Sequence, residues 1–326
     1  MRRTLAMFLI ISLVIMTVPM LAVFNAEQTP NNEITKSEKK NNSGETVNLF
    51  LENEKTVVNL SLKDYLTGVL FAEMDCEYEI EALKAQAVAS YTYYLYNKKI
   101  NTKKPDTVLM GAYISDNPAH YQAYMKSDDA KKKFGDKYQE YYSKISKAVD
   151  SVLGEYMTYH NDVILAVFHS YNGGKTENAK DVWGKDYKYL KSVESKGDLL
   201  SPAAAASVNF SIDEFKNKFS GCKGVDLNKS PSEFIGEIKH SNAGTVTEII
   251  IGGKTFSGNE IRNLLSLKSS NFTAQYSEKN GFTLNVLGYG HNVGMSQYGA
   301  DYMARQGAAY DEILKHYYSG IKIVKN

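Results

Sequence analysis

Residues 61–97, SLKDYLTGVLFAEMDCEYEIEALKAQAVASYTYYLYN, contain two successive helical patterns that decide how the chain is built. Apolar side chains recur at helical spacing in 61–74 and again in 79–97, which predicts one helix in each range. At about 100° per residue, Glu73 falls in the middle of the first apolar stripe and Lys84 falls inside the second. Alanines on the opposite side of the second helix leave it apolar over most of its circumference, which is typical of a buried helix.

An ionisable side chain on a face that should be buried has two interpretations. Glu73 and Lys84 could form a structural ion pair, or the first helix could end before Glu73 and turn the carboxylate to water. Alternatively, the Glu73 carboxyl lies in a half-dry cleft, where desolvation raises its pKa and keeps it protonated near neutral pH as a general acid. A close ammonium would oppose that shift, so we expect Lys84 to contact substrate rather than to bond tightly to Glu73.

A short apolar run, VILAVFHS (163–170), predicts a buried strand that leads into a polar turn. In that turn Asn172, Gly173 and Gly174 favour left-handed backbone conformations, and glycine lets the backbone approach a ligand closely. The donors and acceptors of this loop suit a hydroxylated ligand, and the same polar groups could equally cap their own backbone.

A second glycine-rich loop lies in FTLNVLGYGHNVGMSQYGADYMARQG (282–307), which predicts a strand, the loop and a helix. The spacing of Gly288, Gly290 and Gly294 matches no dinucleotide fingerprint, and no Walker lysine follows, which argues against a nucleotide site. His291 in this loop is either a hydrogen-bonding site residue or a satisfied structural histidine.

The overall composition is that of a globular protein without a charged surface. The 326 residues carry 38 Lys and Arg against 37 Asp and Glu, a formal net charge of +1, so no basic excess indicates nucleic acid as a partner. The 6 His and 2 Cys show no ligand-spaced cluster and HEXXH is absent, which predicts neither a metal site nor a cofactor. Cys76 lacks an adjacent base, and the pattern leaves open whether Cys76 and Cys222 are free or bridged.

Residues 4–24 contain no charge and directly follow Arg2 and Arg3. About 21 residues of helix reach roughly 31 Å, enough to cross the hydrocarbon core of a bilayer. A cleaved signal peptide is the alternative, but cleavage after Ala26 would place Phe24 where a small residue is needed. We therefore expect an uncleaved anchor in the cell membrane, with a cytoplasmic N-terminus and the remaining chain outside.

Composition divides the chain into segments. Residues 1–24 form the cytoplasmic tip and transmembrane anchor, and the polar residues 25–45 form a flexible linker. Residues 46–200 and 281–326 form a mixed main catalytic domain, interrupted by a smaller inserted α+β subdomain at 201–280. The predicted fold class is therefore α+β, with a substrate cleft between the two units.

Strands are predicted in the main domain at 163–169, 189–194 and 282–287. Tyr189 and Lys191 alternate onto one face of the second strand. Aromatic and cationic side chains on one face suit sugar or peptide surfaces, and they also occur on ordinary solvated strands.

The inserted unit has its own local signals. SPAAAAS (201–207) predicts an entry linker, and Ser211 is placed to cap a helix. TEIIIGGKTFSG (247–258) predicts a β-hairpin around its two glycines.

Four ordered blocks of sequence together resemble the stage II sporulation protein D family, which shares ancestry with bacterial amidase-enhancer proteins. The first block is AEM (72–74) followed by EALKAQAVAS (81–90). The others are HSYNGGKTENAKDVWG (169–184), YLKSVES (189–195) and GYGHNVGMSQYGADYMA (288–304). The resemblance covers most of residues 45–326, and the N-terminal anchor and chain length are similar to the sporulation branch.

The resemblance implies a membrane-anchored lytic transglycosylase that acts when a mother-cell membrane engulfs a forespore. Enzymes of this family cleave the bond between N-acetylmuramic acid and N-acetylglucosamine in peptidoglycan strands already stripped of stem peptides. It also implies two partners, the amidase stage II sporulation protein P and the membrane protein stage II sporulation protein M.

The resemblance also implies roles for individual residues. Glu73 matches the catalytic acid of the family. Lys84, Thr176, Tyr189 and Lys191 match positions of the family motifs and are predicted to bind substrate. Further predicted substrate-binding residues in the same blocks are Asn172, Gly173, Gly174, His291 and Gln297.

Two departures from the family pattern stand out. Many relatives have A-R-T-Y where this chain has SYTY (90–93), so an arginine is replaced by Tyr91. Some clostridial relatives hold zinc with His and Cys around T-H-C-Q-A, where this chain has AHYQA (119–123) with Ser115 at the upstream cysteine position. Only His120 remains of that ligand set, so we predict no zinc.

A single buried carboxyl fits a lytic transglycosylase better than a hydrolase. Hydrolysis of a glycosidic bond usually needs two carboxyl groups. A lytic transglycosylase needs one, because the substrate's own C6 hydroxyl attacks the anomeric carbon and leaves a 1,6-anhydro end. We expect Glu73 to act first as acid and then as base. The alternative is a non-catalytic glycan-binding scaffold that stimulates a peptidoglycan amidase.

Overall fold

A β-hairpin followed by two helices opens the described part of the chain. The computed structural model describes residues 44–326, which form one compact unit. Strands β1 (Thr46–Leu51) and β2 (Thr56–Ser61) pair antiparallel, and the short β3 (Ile114–Ser115) joins β1 in parallel.

The predicted transmembrane anchor and most of the predicted linker lie outside the described residues. Within residues 44–326, no helix combines the length and the apolar character that a bilayer-crossing segment needs.

The two helices predicted from the opening sequence are present. Ser61 caps α1 (Leu62–Glu73), because its hydroxyl oxygen accepts the backbone N–H of Asp64 at 3.0 Å. The second helix, α2 (Ile80–Lys103), continues beyond the predicted end at residue 97. A tertiary hydrogen bond stabilises its last turns, since the Asn101 side chain donates to the Tyr113 carbonyl at 2.8 Å.

The remaining elements follow in chain order. Between α2 and the inserted stretch lie α3 (Ser127–Phe134), α4 (Tyr138–Val152), β4 (Glu155–Tyr159), β5 (Asp162–Val163), β6 (Phe168–His169) and α5 (Ala179–Trp183). The inserted stretch contains β7 (Ala205–Phe210), α6 (Ile212–Phe219), β8 (Ile235–His240), β9 (Val246–Ile251), β10 (Lys254–Phe256), α7 (Gly258–Leu265) and β11 (Phe272–Ser277). The chain ends with β12 (Gly281–Leu287), β13 (Met295–Ser296), α8 (Gln297–Arg305), α9 (Tyr310–Tyr317) and β14 (Lys322–Lys325).

Helix α2 is the centre of the larger hydrophobic cluster, packed against α4, α8, α9 and β4. The mixed α+β class is therefore confirmed. Tyrosines are prominent in this core, and their hydroxyls need partners. Tyr318, for example, donates to the Val167 carbonyl at 2.8 Å, and the Tyr317 hydroxyl lies 2.7 Å from Ser195 Oγ.

A second, phenylalanine-rich cluster forms between residues 210 and 286. Its sheet has the order β11-β12-β7, so β12 of the predicted main domain completes the sheet of the inserted stretch. Ser211 and Glu214 form the capping box of α6, as the cap prediction required. The predicted hairpin is β9–β10, and its two turn glycines have positive φ angles of 53° and 83°.

Two predicted strands differ from the structure. The range 163–169 is split into β5 and β6, because the Tyr189 hydroxyl accepts the Leu165 N–H at 3.0 Å and interrupts strand pairing. The range 189–194 begins in a turn and forms no regular strand, and only Glu194 makes an isolated bridge, to Lys175. The linker predicted at 201–207 merges into β7.

Glu177 joins the polar loop after β6 to the inserted stretch. This carboxylate is buried, and its Oε1 accepts the Ser241 hydroxyl at 2.7 Å and the Thr245 N–H at 3.0 Å. The contact fixes the loop that precedes α5, and α5 carries Trp183.

Candidate active site

A cleft of about 420 Å³ opens beside the C-terminal end of α1. Its lining comes from the end of α1, from α2, from the loop at 118–123, from β6, and from the second glycine-rich loop. All of these residues lie outside 201–280. The cleft around Glu73 is thus formed within the predicted main domain and differs from the expected position between two units.

Glu73 is the last residue of α1 and lies half-buried in this cleft. Its Oε1 accepts the backbone N–H of Ala123 at 2.5 Å, and the Gln297 side chain also hydrogen-bonds to the carboxyl. Burial raises the pKa of Glu73, and the two hydrogen bonds offset part of that rise. A position at the negative end of a helix dipole also disfavours the ionised carboxylate. Burial and the helix end therefore both favour the protonated form of the Glu73 carboxyl.

The loop that contacts Glu73 is held against α1 by a helix glycine and a buried glutamine. A Cβ at Gly68 would lie 2.2 Å from the Tyr124 ring, so only glycine lets this loop approach the helix. Gln122 is buried, and its side-chain amide donates to the Tyr65 hydroxyl at 2.5 Å and to the Ser90 carbonyl at 3.1 Å. These contacts place the Ala123 N–H at the Glu73 carboxyl.

Gln297 reaches Glu73 because of a parallel pairing between β6 and β13. That pairing sets Ser296 opposite His169, and α8 begins at the next residue, Gln297. Behind Gln297 stands the buried Gln86 of α2, whose Oε1 lies 3.5 Å from the Gln297 amide nitrogen. The predicted site residues Glu73 and Gln297 are therefore in direct contact.

Two neutral imidazoles form another wall of the cleft. His169 is buried, its Nδ1 faces the Val293 carbonyl at 3.2 Å, and its Nε2 faces the Asn172 amide at 3.1 Å. Burial and the neighbouring His291 lower the pKa of His169 to about 3. Burial and the Arg262 guanidinium lower the pKa of His291 to about 4. His291 accepts the Val293 N–H on Nδ1 at 3.1 Å, so its neutral ring carries a proton on Nε2.

Aromatic side chains complete the cleft, and the sequence analysis did not select them. Trp183 is 39% exposed, and its ring stands edge-on to His291 at 5.1 Å. Tyr289 is 47% exposed, and Tyr93 is half-buried on α2. The signal for Trp183 was its uniqueness, since the chain has 1 Trp. No local pattern points to Tyr93 or Tyr289.

Lys84 does not reach this cleft. Its ammonium pairs with Glu81 at 2.6 Å and lies 6.0 Å from the centre of the Tyr310 ring. The face of α2 that carries Gln86 and Tyr93 turns toward Glu73, whereas Lys84 faces α9. Lys84 therefore forms no ion pair with Glu73 and lies outside the lining of the cleft.

Three further predicted substrate-binding residues, Thr176, Tyr189 and Lys191, lie outside the cleft lining. Thr176 is buried and its Oγ1 accepts the Val193 N–H at 2.9 Å. Tyr189 is buried in the larger core cluster, and the Lys191 ammonium pairs with Asp186 at 2.5 Å. None of the three lines the cleft around Glu73.

The polar turn after β6 also lies behind the cleft. Asn172 is fully buried between His169 and the N–H of Gly174, which its Oδ1 accepts at 2.8 Å. Gly174 has a φ of +97°, and a Cβ at Gly173 would lie 2.8 Å from the Asn271 side chain. The two glycines therefore serve close packing and a left-handed turn.

The two departures from the family pattern have structural explanations. Tyr91, at the position of the missing arginine, points away from the cleft, and its hydroxyl contacts Glu45 and the Asn326 side chain. At the position of the relatives' zinc ligands, His120 is exposed and the buried Ser115 Oγ accepts the Asn117 N–H. Across residues 44–326, no three His, Cys, Asp or Glu side chains are grouped as metal ligands, so the side chains present do not fit zinc.

We expect the buried imidazole of His169 to make the fold sensitive to acid. The ordinary pKa of 6.5 falls to about 3 in the folded chain, so the unfolded chain binds more protons between these values. This stability is present above pH 6.5 and is lost as the pH falls through that window. The difference in Tm between wild type and His169→Gln should therefore shrink as the pH is lowered from 7 toward 4. Exposed His120→Gln is the control, and a difference independent of pH for His169→Gln would contradict the assignment.

Comparisons with known proteins support one family. A family model described as "Stage II sporulation protein" (SpoIID) matches residues 51–159. Stage II sporulation protein D of Bacillus amyloliquefaciens is 37% identical over 281 residues, which cover 85% of this chain and 78% of that protein. The protein of the same name from Bacillus subtilis (strain 168) is 38% identical over 276 residues, covering 82% of this chain and 76% of that protein.

A more distant similarity reaches the amidase enhancer of Bacillus subtilis (strain 168). It is 27% identical over 303 residues, which cover 78% of this chain and 39% of that protein. Two relatives of the same name match across more than three-quarters of their own length, and the range matched by the family model includes Glu73. This chain therefore belongs to the stage II sporulation protein D family of sporulation proteins.

Proposed function

We propose that the protein is a lytic transglycosylase that cleaves the bond between N-acetylmuramic acid and N-acetylglucosamine in peptidoglycan. The observation that carries the proposal is that Glu73 is the one carboxyl among the described residues lining the cleft. Its pKa is raised by burial, as a general acid near neutral pH requires. Hydrolysis by the usual pair of carboxyl groups would need a second acid in the same cleft.

The reaction proceeds in two proton transfers through one residue. The Glu73 carboxyl protonates the glycosidic oxygen as the bond to the anomeric carbon breaks. The C6 hydroxyl of the same sugar then attacks that carbon, and the Glu73 carboxylate takes its proton. The products are a 1,6-anhydro end and a new hydroxyl end, and the carboxyl returns to its starting state. Attack by a hydroxyl held close has a large entropic advantage over attack by water.

The rest of the cleft suits a nearly uncharged sugar polymer. His291 and Gln297 supply neutral hydrogen-bond donors, and the lining described for the cleft contains no Lys or Arg. Exposed rings such as Trp183 and Tyr289 can stack on the apolar faces of sugars. We assign glycan contact to these residues, and a supporting role to Asn172 and Thr176 behind them.

The cellular setting is also part of the proposal. The family membership and the uncharged segment at 4–24 support an enzyme anchored in the engulfing mother-cell membrane, with its catalytic part outside. Glycan strands free of stem peptides are the proposed substrate. Stage II sporulation proteins P and M are the proposed partners, because an amidase must remove the stem peptides first.

Trp183 gives a direct measurement of glycan binding. Because the chain has 1 Trp, addition of denuded glycan strands should change the intrinsic tryptophan fluorescence of Glu73→Gln without turnover. We expect Trp183→Phe to bind normally and Trp183→Ala to bind about 10-fold more weakly, equivalent to ~1.4 kcal/mol. Binding of both variants would be followed by co-sedimentation with labelled strands. Equal affinity of Trp183→Ala and wild type would exclude Trp183 from the substrate surface.

A non-catalytic role is the second candidate function, and the similarity to an amidase enhancer favours it. A scaffold of this kind would bind glycan and stimulate a purified peptidoglycan amidase with or without the Glu73 carboxyl. The two functions separate in one experiment. Wild type and Glu73→Gln are each incubated with denuded strands alone, and then with intact peptidoglycan plus the amidase. The enzymatic function is supported if wild type releases anhydro-ended products in the first reaction and Glu73→Gln does not.

A further inference from the structure

A second buried carboxyl, Asp198, lies behind the cleft and plays no part in the chemistry described above. It is fully buried in the short 3₁₀ turn Lys196–Leu200. Its Oδ1 accepts the Ser296 hydroxyl at 2.5 Å, its Oδ2 accepts the Ser195 hydroxyl, and Asn172 hydrogen-bonds to it as well. Within residues 44–326 no Lys, Arg or His forms an ion pair with Asp198. Buried carboxylates without a cation are costly unless several donors satisfy them.

The partners of Asp198 lead to both walls of the cleft. Ser296 is the N-cap of α8, where its Oγ accepts the Gly299 N–H at 3.0 Å, and the next residue is Gln297. On the other side, Asn172 hydrogen-bonds to His169, which lines the cleft. One carboxyl therefore ties together the segments that carry Gln297 and His169.

The packing around Asp198 leaves no room for a different arrangement. A Cβ at Gly299 would lie 2.1 Å from the Tyr317 hydroxyl, 2.5 Å from Ser195 Oγ and 3.0 Å from Asp198 Oδ2. A Cβ at Gly197 would lie 2.3 Å from the Tyr302 ring. Glycine at both positions lets α8 and the 3₁₀ turn approach closely enough for the hydrogen bonds to form.

We propose that Asp198 is a positioning residue that acts through Ser296 and Asn172 to hold Gln297 against the Glu73 carboxyl and His169 in the cleft wall. Its hydrogen bonds set where α8 begins and how the polar turn after β6 lies. This inference rests on the proposed transglycosylase function for its kinetic consequence, but its structural consequence is independent of any activity.

The decisive variant is Asp198→Asn, which keeps the shape and removes the charge that accepts two hydroxyl donors. We expect kcat on denuded strands to fall about 10- to 100-fold with KM nearly unchanged, because misplacement of a site group by about 1 Å can cost roughly 100-fold in rate. Asp301→Asn is the matched control. Asp301 is equally buried one helical turn beyond Gln297, accepts the Glu79 N–H at 2.7 Å, pairs with Arg305 and does not line the cleft, so its loss should lower Tm and leave kcat near wild type.

A double-mutant cycle separates positioning from general stability. If Asp198 acts through Gln297, the loss in Asp198→Asn plus Gln297→Ala should be much smaller than the product of the single losses. Losses that multiply independently would overturn the proposal. Should Asp198→Asn fail to fold, Ser195→Ala removes one donor while keeping the carboxylate, and the same cycle with Gln297→Ala applies.

Amide hydrogen exchange gives the readout that needs no activity. The N–H groups of Gly299 and Gly174 are bonded to Ser296 and Asn172, so both should exchange faster in Asp198→Asn and not in Asp301→Asn. Unchanged exchange at both glycines would refute the positioning role. If wild type released no anhydro products while exchange responded as expected, the proposed function would fail and the structural part of the inference would stand.

Discussion

Replacement of Glu73 by glutamine is expected to reduce release of 1,6-anhydro-ended products from denuded glycan strands by about 10³-fold. Glutamine keeps the size of the side chain and can still accept the Ala123 N–H, but it has no proton to donate to the glycosidic oxygen. Product mass would be measured by mass spectrometry, since the anhydro product is one water lighter than a hydrolytic product. Glu77→Gln is the matched control, because Glu77 is an exposed carboxylate four residues away, paired with Lys137.

The same variant should be at least as stable as wild type at alkaline pH. Burial raises the pKa of Glu73 in the folded chain, so the favourable contribution of the protonated carboxyl is present at low pH and is lost as the pH rises through that pKa. Glutamine does not ionise. The Tm of Glu73→Gln relative to wild type should therefore rise between pH 5 and pH 8. Wild-type product release by a folded Glu73→Gln would exclude this residue as the acid.

Replacement of Gly294 by alanine is expected to lower the free energy of unfolding by at least ~3 kcal/mol. Gly294 has a φ of +72°, and a Cβ there would lie 2.1 Å from the Val167 carbonyl oxygen, a backbone atom that cannot move aside. The residue stands where β13 meets β6, so the variant should also misplace His291 and Gln297. Urea unfolding monitored by circular dichroism measures the loss.

Gly307→Ala provides the control for that measurement. Gly307 has a similar φ of +95°, but nothing lies within 4 Å of its Cβ position. We expect it to lose only the ~1 kcal/mol of an alanine in left-handed conformation. Equal losses at the two glycines would mean that backbone conformation alone, and not the close approach of β6, determines the stability at Gly294.

Local patterns predicted the helices and turns of this chain well. Ser211 caps a helix where the sequence placed it, and the glycine pair in 247–258 forms its hairpin, because these signals act between residues only a few positions apart. The split of 163–169 was not predictable in the same way. Its cause is the Tyr189 hydroxyl, 24 residues further along the chain, which takes the Leu165 N–H.

The candidate site likewise combines a residue that a local pattern indicates with residues that only tertiary contacts bring together. Glu73 was selected from the sequence because helical spacing alone places it on an apolar face. The same argument misplaced Lys84, since α2 is buried on several sides and periodicity does not tell which side faces the cleft. Tyr93 lines the cleft and Gln86 lies beside Gln297, while Lys84 packs beside Tyr310.

The amino-acid sequence thus determines the α+β class, the cap of α6 and the family, and it singles out Glu73 as an ionisable residue on an apolar helix face. Only the tertiary structure shows which residues meet at Glu73. The Ala123 N–H lies 50 residues from Glu73 in the chain, and Gln86 and Gln297 are 211 residues apart. Contacts over such distances depend on how whole elements pack, because a periodic pattern specifies the face of one helix or strand but not the partner that will cover it.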